Sequence, residues 1–184
     1  MPNDYICIMN KKVLFHIILF ILTLSCDNIK DEKQVPFEKL SSEITGINFS
    51  NIITPDIETS ENLFDYDYFY NGSGVGIADV NNDGLKDILF TANQENNRLF
   101  INKGNLTFED ITELSNINTK SKKWSSGVTF ADVNNDGWLD IYISQGGPFE
   151  SNSRKNLLLI NNQDLTFTEK AEKYGLDDTG ISTQ

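Results

Sequence analysis

A segment of fifteen residues occurs twice in this chain, and this repeat is the feature that most restricts its fold. The copies are GVGIADVNNDGLKDI at residues 74–88 and GVTFADVNNDGWLDI at residues 127–141, so the second begins 53 residues after the first. A weaker match follows each copy, between residues 98–108 and 156–167. Repeats at such a period indicate one supersecondary unit used several times, with neighbouring units burying each other's apolar faces.

Each unit is predicted to consist of short strands separated by turns. Residues 88–91 and 141–144 are brief β-branched and aromatic runs, and 99–101 and 157–160 are a second pair. Hairpin-turn residues, NKGN at 102–105 and NNQD at 161–164, then precede a Leu-Thr-Phe segment in both copies. No long stretch shows a period of 3.6 residues. The pattern predicts an all-β protein of propeller type, with about two blades and the start of a third, because a third Asp loop is expected within a few residues of Gln184.

The centre of each repeat has the pattern Asp-x-Asn-x-Asp-Gly-x-x-Asp. Its side-chain oxygens fall at positions 1, 3, 5 and 9 of a short loop: Asp79, Asn81, Asp83 and Asp87 in the first copy, Asp132, Asn134, Asp136 and Asp140 in the second. Calcium takes six to eight oxygen ligands, and a loop of this kind supplies them together with the position-7 carbonyls of Leu85 and Trp138. Gly84 and Gly137 permit the sharp turn that this requires.

The loops have two other possible interpretations. EF-hand loops begin in the same way but end with an acidic residue at position 12, where this chain has Phe90 and Ile143. Ordinary turns are also rich in Asp, Asn and Gly. Three carboxylates close together repel one another without a cation, and all the oxygen positions are kept in both copies. The pattern therefore favours Ca²⁺ in a loop between two strands.

The two Asp-Val-Asn-Asn-Asp-Gly loops resemble those of the FG-GAP/VCBS repeat family, over roughly residues 45–184. The resemblance implies blades of the seven-bladed β-propeller found in integrin α chains, with a calcium ion held by the oxygen positions of each loop. The Phe-Gly and Gly-Ala-Pro segments that name the family are absent. The resemblance therefore implies the fold, and integrin-like ligand binding is not carried over to this chain. A lipid-anchored leader followed by such blades also resembles bacterial surface proteins of this family.

The beginning of the chain is typical of a secretory signal peptide, predicted for residues 1–25 with a possible true start at Met9. Lys11 and Lys12 precede an apolar stretch that ends beside Cys26, as in a lipobox, although Thr23 stands where leucine is usual. We expect Cys26 to be lipidated, residues 26–44 to be a polar tether, and 45–184 to be a partial propeller with repeats near 74–118 and 127–176. The expected location is the cell envelope, at the outer membrane or cell surface, with simple secretion as the alternative.

Composition limits the possible functions. The net charge of −12 disfavours nucleic-acid partners. Both cysteines and the single histidine, His16, lie in the first 26 residues, so the repeat region holds no zinc site of Cys or His and no His-based triad. We expect a calcium-binding, non-catalytic binding or adhesion module with an extracellular protein or glycan as partner. The alternative is an accessory portion of a secreted polysaccharide-degrading enzyme whose catalytic part lies elsewhere.

Two further segments have competing interpretations. The first is an aromatic run before the first repeat, containing Phe64, Tyr66, Tyr68, Phe69 and Tyr70. It is predicted to be a first strand that packs into the sheet, with a sugar-stacking platform as the alternative, and Trp124 is interpreted in the same way. The second is the glycine-rich stretch 72–76, which leads into a strand instead of a helix and so does not fit a phosphate loop.

Overall fold

The computed structural model describes residues 37–118 and 124–182. The chain divides into a unit of residues 1–39 and a unit Leu40–Gln184, and the description that follows concerns the second unit. The predicted signal peptide, the lipidated Cys26 and the beginning of the tether lie outside the described residues and stay predictions. In the part of the chain that is described, none of the helices has the length and apolar character needed to cross a membrane.

Eight strands form two separate four-stranded antiparallel sheets, each a meander in chain order. Blade 1 contains β1 (Val75–Ala78), β2 (Asp87–Phe90), β3 (Arg98–Asn102) and β4 (Phe108–Asp110). Blade 2 contains β5 (Ser125–Ala131), β6 (Asp140–Gln145), β7 (Leu157–Asn161) and β8 (Phe167–Glu169). Each blade is followed by one short helix, α2 (Thr112–Ser115) or α3 (Ala171–Tyr174). A further helical turn, α1 (Ser42–Thr45), precedes the blades, and a 3-10 turn (Ser151–Arg154) lies between β6 and β7.

The strand registers of the two blades correspond, which confirms the predicted repeat. Ala78 pairs with Asp87 at the Asp loop of blade 1, and Ala131 pairs with Asp140 in blade 2. At the outer hairpins, Asn102 pairs with Phe108 and Asn161 with Phe167. Equivalent residues of the two blades are 53 positions apart as far as β2 and β6, and 59 positions apart from β3 and β7 onward. The difference arises because the connection between β6 and β7, around residues 146–148, is longer than that between β2 and β3. The all-β prediction with propeller blades is therefore confirmed.

One hydrophobic core lies between the two sheets. Buried residues from both blades form it, and they are Ala78, Leu89, Leu99 and Ile101 from blade 1 and Ile141, Ile143, Leu157, Leu159 and Phe167 from blade 2. The blades approach closely at Gly76, where a Cβ atom would stand 2.5 Å from Cε2 of Phe130. Neither sheet could bury this face alone, so each blade depends on its neighbour for stability.

The aromatic segment before blade 1 is not a strand, so that prediction is wrong. Residues 61–70 form a series of turns, in which the N–H of Tyr66 donates to the carbonyl of Asn62 and the N–H of Phe69 to that of Tyr66. Tyr66 and Phe69 are buried against Trp124, whereas Phe64, Tyr68 and Tyr70 are exposed. High β-propensity did not decide the conformation here, because the segment has no neighbouring strand with which to pair.

The same backbone hydrogen bond occurs before blade 2 and after it. The N–H of Ser125 donates to the carbonyl of Ala92, two residues after β2, and the N–H of Ser182 donates to that of Gln145 at the end of β6. Ala92 and Gln145 are themselves equivalent, because their N–H groups donate to the side chains of Asn97 and Asn156. Ser182 thus takes the position at which Ser125 begins β5.

Candidate metal-binding loops

The two Asp loops share one backbone conformation. Position 4 is left-handed in both, with φ of 57° at Asn82 and 61° at Asn135. Position 6 is also left-handed, with φ of 86° at Gly84 and 85° at Gly137. Glycine adopts this conformation without a steric penalty, and asparagine tolerates it better than other side chains. The expectation that Gly84 and Gly137 make the sharp turn is confirmed.

The oxygens of positions 1 and 3 converge on the backbone of position 5. In the first loop, the N–H of Asp83 donates to Oδ1 of Asp79 at 3.2 Å and to Oδ1 of Asn81 at 3.1 Å. In the second, the N–H of Asp136 donates to Oδ1 of Asp132 at 3.1 Å and to Oδ1 of Asn134 at 3.0 Å. Both position-5 residues are exposed, whereas Asp79 and Asp132 at position 1 are partly buried.

Positions 5 and 7 are linked in the same way in both loops. The N–H of Leu85 donates to Oδ1 of Asp83 at 2.8 Å, and the N–H of Trp138 donates to Oδ1 of Asp136 at 2.9 Å. The other oxygen of each carboxylate accepts from the side-chain amide of the position-3 asparagine at 2.9 Å. These bonds from Trp138 and Asn134, with one from Gln163, lower the pKa of Asp136. The loop therefore favours the ionised carboxylate there.

Position 9 is the buried member of each set. The carboxylate of Asp87 accepts N–H bonds from Val80 and Asn102, both at 2.9 Å. That of Asp140 accepts from Val133 at 3.0 Å and from Asn161 at 2.8 Å. Each carboxylate thus joins its own loop to the end of the third strand of its blade. Asp87 and Asp140 are 1% exposed.

Burial is the main cause that raises the pKa of Asp87 above its ordinary value, and the nearby carboxylates of Asp83 and Asp79 raise it further by smaller amounts. The N–H groups of Asn102 and Val80 act in the opposite direction. A cation near these three carboxylates would relieve their repulsion, which is a physical reason for the loop to bind one.

In both loops, the side-chain oxygens accept hydrogen bonds from backbone N–H groups of the loop itself. Within residues 37–118 and 124–182, no three or more His, Cys, Asp or Glu side chains form a group arranged to hold a metal ion. The residue types are nevertheless those that calcium prefers, since each loop combines three carboxylates with an amide oxygen. A carboxylate oxygen that accepts one N–H bond keeps a second lone pair for a ligand bond. The donors fit calcium, and its binding stays a prediction.

Hydrogen bonds also connect the two loops to each other. The side-chain amide of Asn82 donates to the carbonyl of Gly137 at 3.1 Å. The side-chain amide of Asn161 donates to the carbonyl of Val80 in the first loop at 2.8 Å and to that of Leu139 in the second at 3.1 Å. Its Oδ1 accepts from the N–H of Gln163 at 2.9 Å. Asn161 is buried and uses both amide hydrogens, so it connects the loops of neighbouring blades.

Replacing Asn161 by leucine is expected to destabilise the full chain by about 2–4 kcal/mol, because two backbone carbonyls lose their partner in a buried environment. Urea unfolding followed by circular dichroism, in chelator, measures this. Asn102→Leu is the matched control, since Asn102 is equivalent in blade 1 but its amide donates only within its own blade, to the carbonyl of Lys86. Equal costs for the two variants would contradict a role for Asn161 between the blades.

Sequence reasoning missed the asparagines at the ends of β3 and β7. Asn102 and Asn161 hold the position-9 carboxylates through their backbone N–H groups. The signal was present, because both asparagines recur at the same place in the two repeats. Their contact with the Asp loops becomes evident only when β2 pairs with β3, and β6 with β7.

Comparison with known proteins agrees with this geometry. Residues 79–143, from the first Asp loop into β6, match the model of the FG-GAP-like repeat. Integrin alpha-8 of Mus musculus is 34% identical over 106 aligned residues, and integrin alpha-8 of Gallus gallus is 31% identical over 106. Each alignment covers 50% of this chain and 10% of the integrin.

The antiparallel four-stranded blades and the repeated Asp loop thus accompany a match to an FG-GAP-like repeat at residues 79–143. The chain is similar to integrin alpha-8 over half of its length, and the resemblance predicted from the sequence is confirmed. The chain spans about a tenth of the length of the curated relatives it matches.

Proposed function

We propose that this protein is a calcium-stabilised, non-catalytic binding module of the adhesion type, acting at the cell envelope. The observation that carries the proposal is the duplication of one loop down to individual hydrogen bonds. Seven bonds around positions 1, 3, 5 and 9 of the first loop have counterparts in the second, all between 2.8 and 3.2 Å. Both loops also keep carboxylate and amide oxygens at all four of these positions, and these are the oxygens that calcium prefers, which supports a shared ligand.

Calcium would be held by the side-chain oxygens at positions 1, 3, 5 and 9 and by the carbonyls of Leu85 and Trp138. Bound there, it would supply positive charge against three carboxylates in each loop. The residues of the chain already shape the loop, because the position-9 carboxylate holds it to β3 or β7 through backbone bonds. Such preorganisation reduces the entropy that binding costs.

The non-catalytic part of the proposal rests on how the acidic residues are used. Those of the Asp loops accept backbone N–H groups and form the calcium donor set, and the FG-GAP-like repeats and integrin relatives point to binding rather than catalysis. A position outside the cell or at its surface accords with those relatives. Attachment through Cys26 follows from the leader sequence and stays a prediction.

Calcium is expected to raise the melting temperature of the full chain relative to chelator. Extracellular calcium modules bind at about 10⁻⁴–10⁻³ M, and calcium at a hundredfold its dissociation constant adds about 2.7 kcal/mol of stability per site. Differential scanning calorimetry with calcium, magnesium or chelator measures the shift, and isothermal titration gives the number of sites. Each single variant, Asp83→Ala or Asp136→Ala, should remove about half of the shift, and the double variant all of it.

The control is Glu95→Ala, since Glu95 is an exposed acid outside both loops. It should respond to calcium like the unmodified chain. Absence of both binding heat and melting shift in a folded chain would refute the calcium part of the proposal and leave the loops as turns.

A further inference from the structure

A cavity of about 540 Å³ lies at the ends of β1 and β5 that point away from the Asp loops. One side is formed by the residues that lead into β1, from Asn71 to Val75. The other side is β5 from Ser126 to Thr129, with Tyr142 and Ser144 of β6. Tyr66, Tyr68 and Trp124 complete it. Its volume is within the range of about 300–1,000 Å³ that small-molecule sites occupy.

The lining of this cavity is uncharged. None of its fourteen described residues is Asp, Glu, Lys, Arg or His, although the chain carries a net charge of −12. Bringing an ionic ligand into such a site would cost its hydration without supplying an opposite charge. The cavity therefore favours a neutral ligand. Unlike the Asp loops, it has no carboxylate that could bind a cation.

Hydroxyl groups are the main polar side chains of the lining. Ser73, Thr129 and Ser144 contribute hydroxyls that can both donate and accept a hydrogen bond. Ser126 adds a hydroxyl that donates to the carbonyl of Ser182 at 2.6 Å and can still accept. Backbone groups add to this capacity, because β1 and β5 are edge strands that pair on one side only within their sheets. Dual donor and acceptor character on both sides of a cavity matches a ligand that is itself rich in hydroxyl groups.

Aromatic rings provide one apolar surface that is already positioned. Tyr68 is 46% exposed and meets the ring of Tyr66 edge-on, with ring centroids 5.8 Å apart. Tyr66 is held in turn by the edge of Trp124 at 5.6 Å and by its hydroxyl, which accepts the N–H of Gly147 at 3.1 Å. The exposed ring of Tyr68 thus rests on a buried and fully packed support.

We propose that this cavity binds a neutral saccharide, with a pyranose ring stacked on Tyr68 and its hydroxyls bonded by the serine and threonine side chains. A pyranose has a C–H face that packs on an aromatic ring and a rim of hydroxyls that both donate and accept, which is the combination the cavity offers. The inference deepens the proposed binding function and depends on it, since it names the site and the class of ligand. It does not depend on calcium, because the cavity shares no residue with the Asp loops.

Titration of the full chain with neutral hexasaccharides tests the proposal. The probes are the β-1,4-glucan, β-1,3-glucan, β-1,4-xylan and α-1,6-mannan oligomers, observed by saturation-transfer NMR and quantified by calorimetry in calcium and in chelator. Tyr68→Ala should weaken binding of the recognised oligomer by about tenfold, as expected for loss of an aromatic contact. Thr129→Val keeps a β-branched side chain on β5 and should weaken it by several fold.

Tyr70→Ala is the matched control, because Tyr70 is an exposed tyrosine of the same segment that lies outside the cavity. Its affinity should equal that of the unmodified chain, and all three variants should keep the original circular dichroism spectrum and melting temperature. Binding of a neutral oligomer that is weakened by Tyr68→Ala and Thr129→Val, but not by Tyr70→Ala, would support the proposal.

Three results would overturn it. The first is that no neutral oligomer binds, or that binding is the same in all variants. The second is that an acidic oligomer, oligogalacturonate, binds as well as the neutral ones. The third is that a peptide with the sequence of residues 124–131 occupies the cavity instead, by adding a strand to the β1 or β5 edge. Loss of saccharide binding with an intact calcium shift refutes only the cavity, whereas loss of the calcium shift alone refutes only the metal.

Discussion

Asp140→Ala is expected to destabilise the full chain by about 3–5 kcal/mol even in the presence of chelator. The carboxylate is 1% exposed and accepts backbone N–H groups from Val133 and Asn161. Alanine leaves both donors without their partner where little water can reach them, and each bond to a charged acceptor contributes about 1.5–3 kcal/mol. A cost of this size is a large part of the about 5–15 kcal/mol that stabilises a typical domain.

The comparison that isolates this effect is Asp136→Ala in the same loop. Asp136 is exposed, so its removal should cost less than about 1 kcal/mol in chelator while still removing calcium binding from that loop. Urea unfolding with and without calcium measures both effects. If Asp140→Ala and Asp136→Ala were equally stable in chelator, Asp140 would not hold the loop to β7, and position 9 would contribute to stability only through a metal.

The two measurements together would separate two roles of the position-9 aspartate. Its backbone bonds connect loop and sheet in the protein alone, and its remaining lone pairs are available to an ion. Asp87 has the same arrangement in blade 1, with Val80 and Asn102 as donors. A loop that is held in shape before calcium arrives binds it at a lower entropic cost.

Trp124→Ala is expected to cost about 3–5 kcal/mol, the range for removing a large buried aromatic side chain. Trp124 is 2% exposed and packs against Tyr66 and Phe69, with ring centroids 5.6 and 5.4 Å away. This cluster joins the turns before blade 1 to the beginning of blade 2. Its loss should therefore loosen the segment around residues 61–70 as well as reduce the free energy of unfolding, which hydrogen exchange and urea unfolding measure.

Phe64→Ala is the control for this prediction, because Phe64 belongs to the same segment but is 93% exposed. It should change stability by less than about 0.5 kcal/mol. Trp124→Phe should have an intermediate cost, since a smaller ring still fills part of the site. Equal stability of Trp124→Ala and Phe64→Ala would show that the aromatic cluster does not hold this segment in place.

The sequence alone determined the features that depend on local pattern. The repeated loop predicted two blades of short strands, and the registers of Ala78 with Asp87 and Ala131 with Asp140 agree with it. Gly84 and Gly137 were predicted to make the turn because a left-handed backbone favours glycine, and both have φ near 85°. Such features follow from residues close together in the chain, so their spacing is sufficient to show them.

Only the tertiary structure decided the features that depend on distant residues. The aromatic run at 64–70 has strand propensity but forms turns, because its buried side chains pack against Trp124 instead of pairing with a strand. The bond of Asn161 to Val80 in the first loop joins residues 81 positions apart in the chain. Propensity and spacing describe a residue and its near neighbours, whereas these contacts are set by which surfaces the two blades bury against each other.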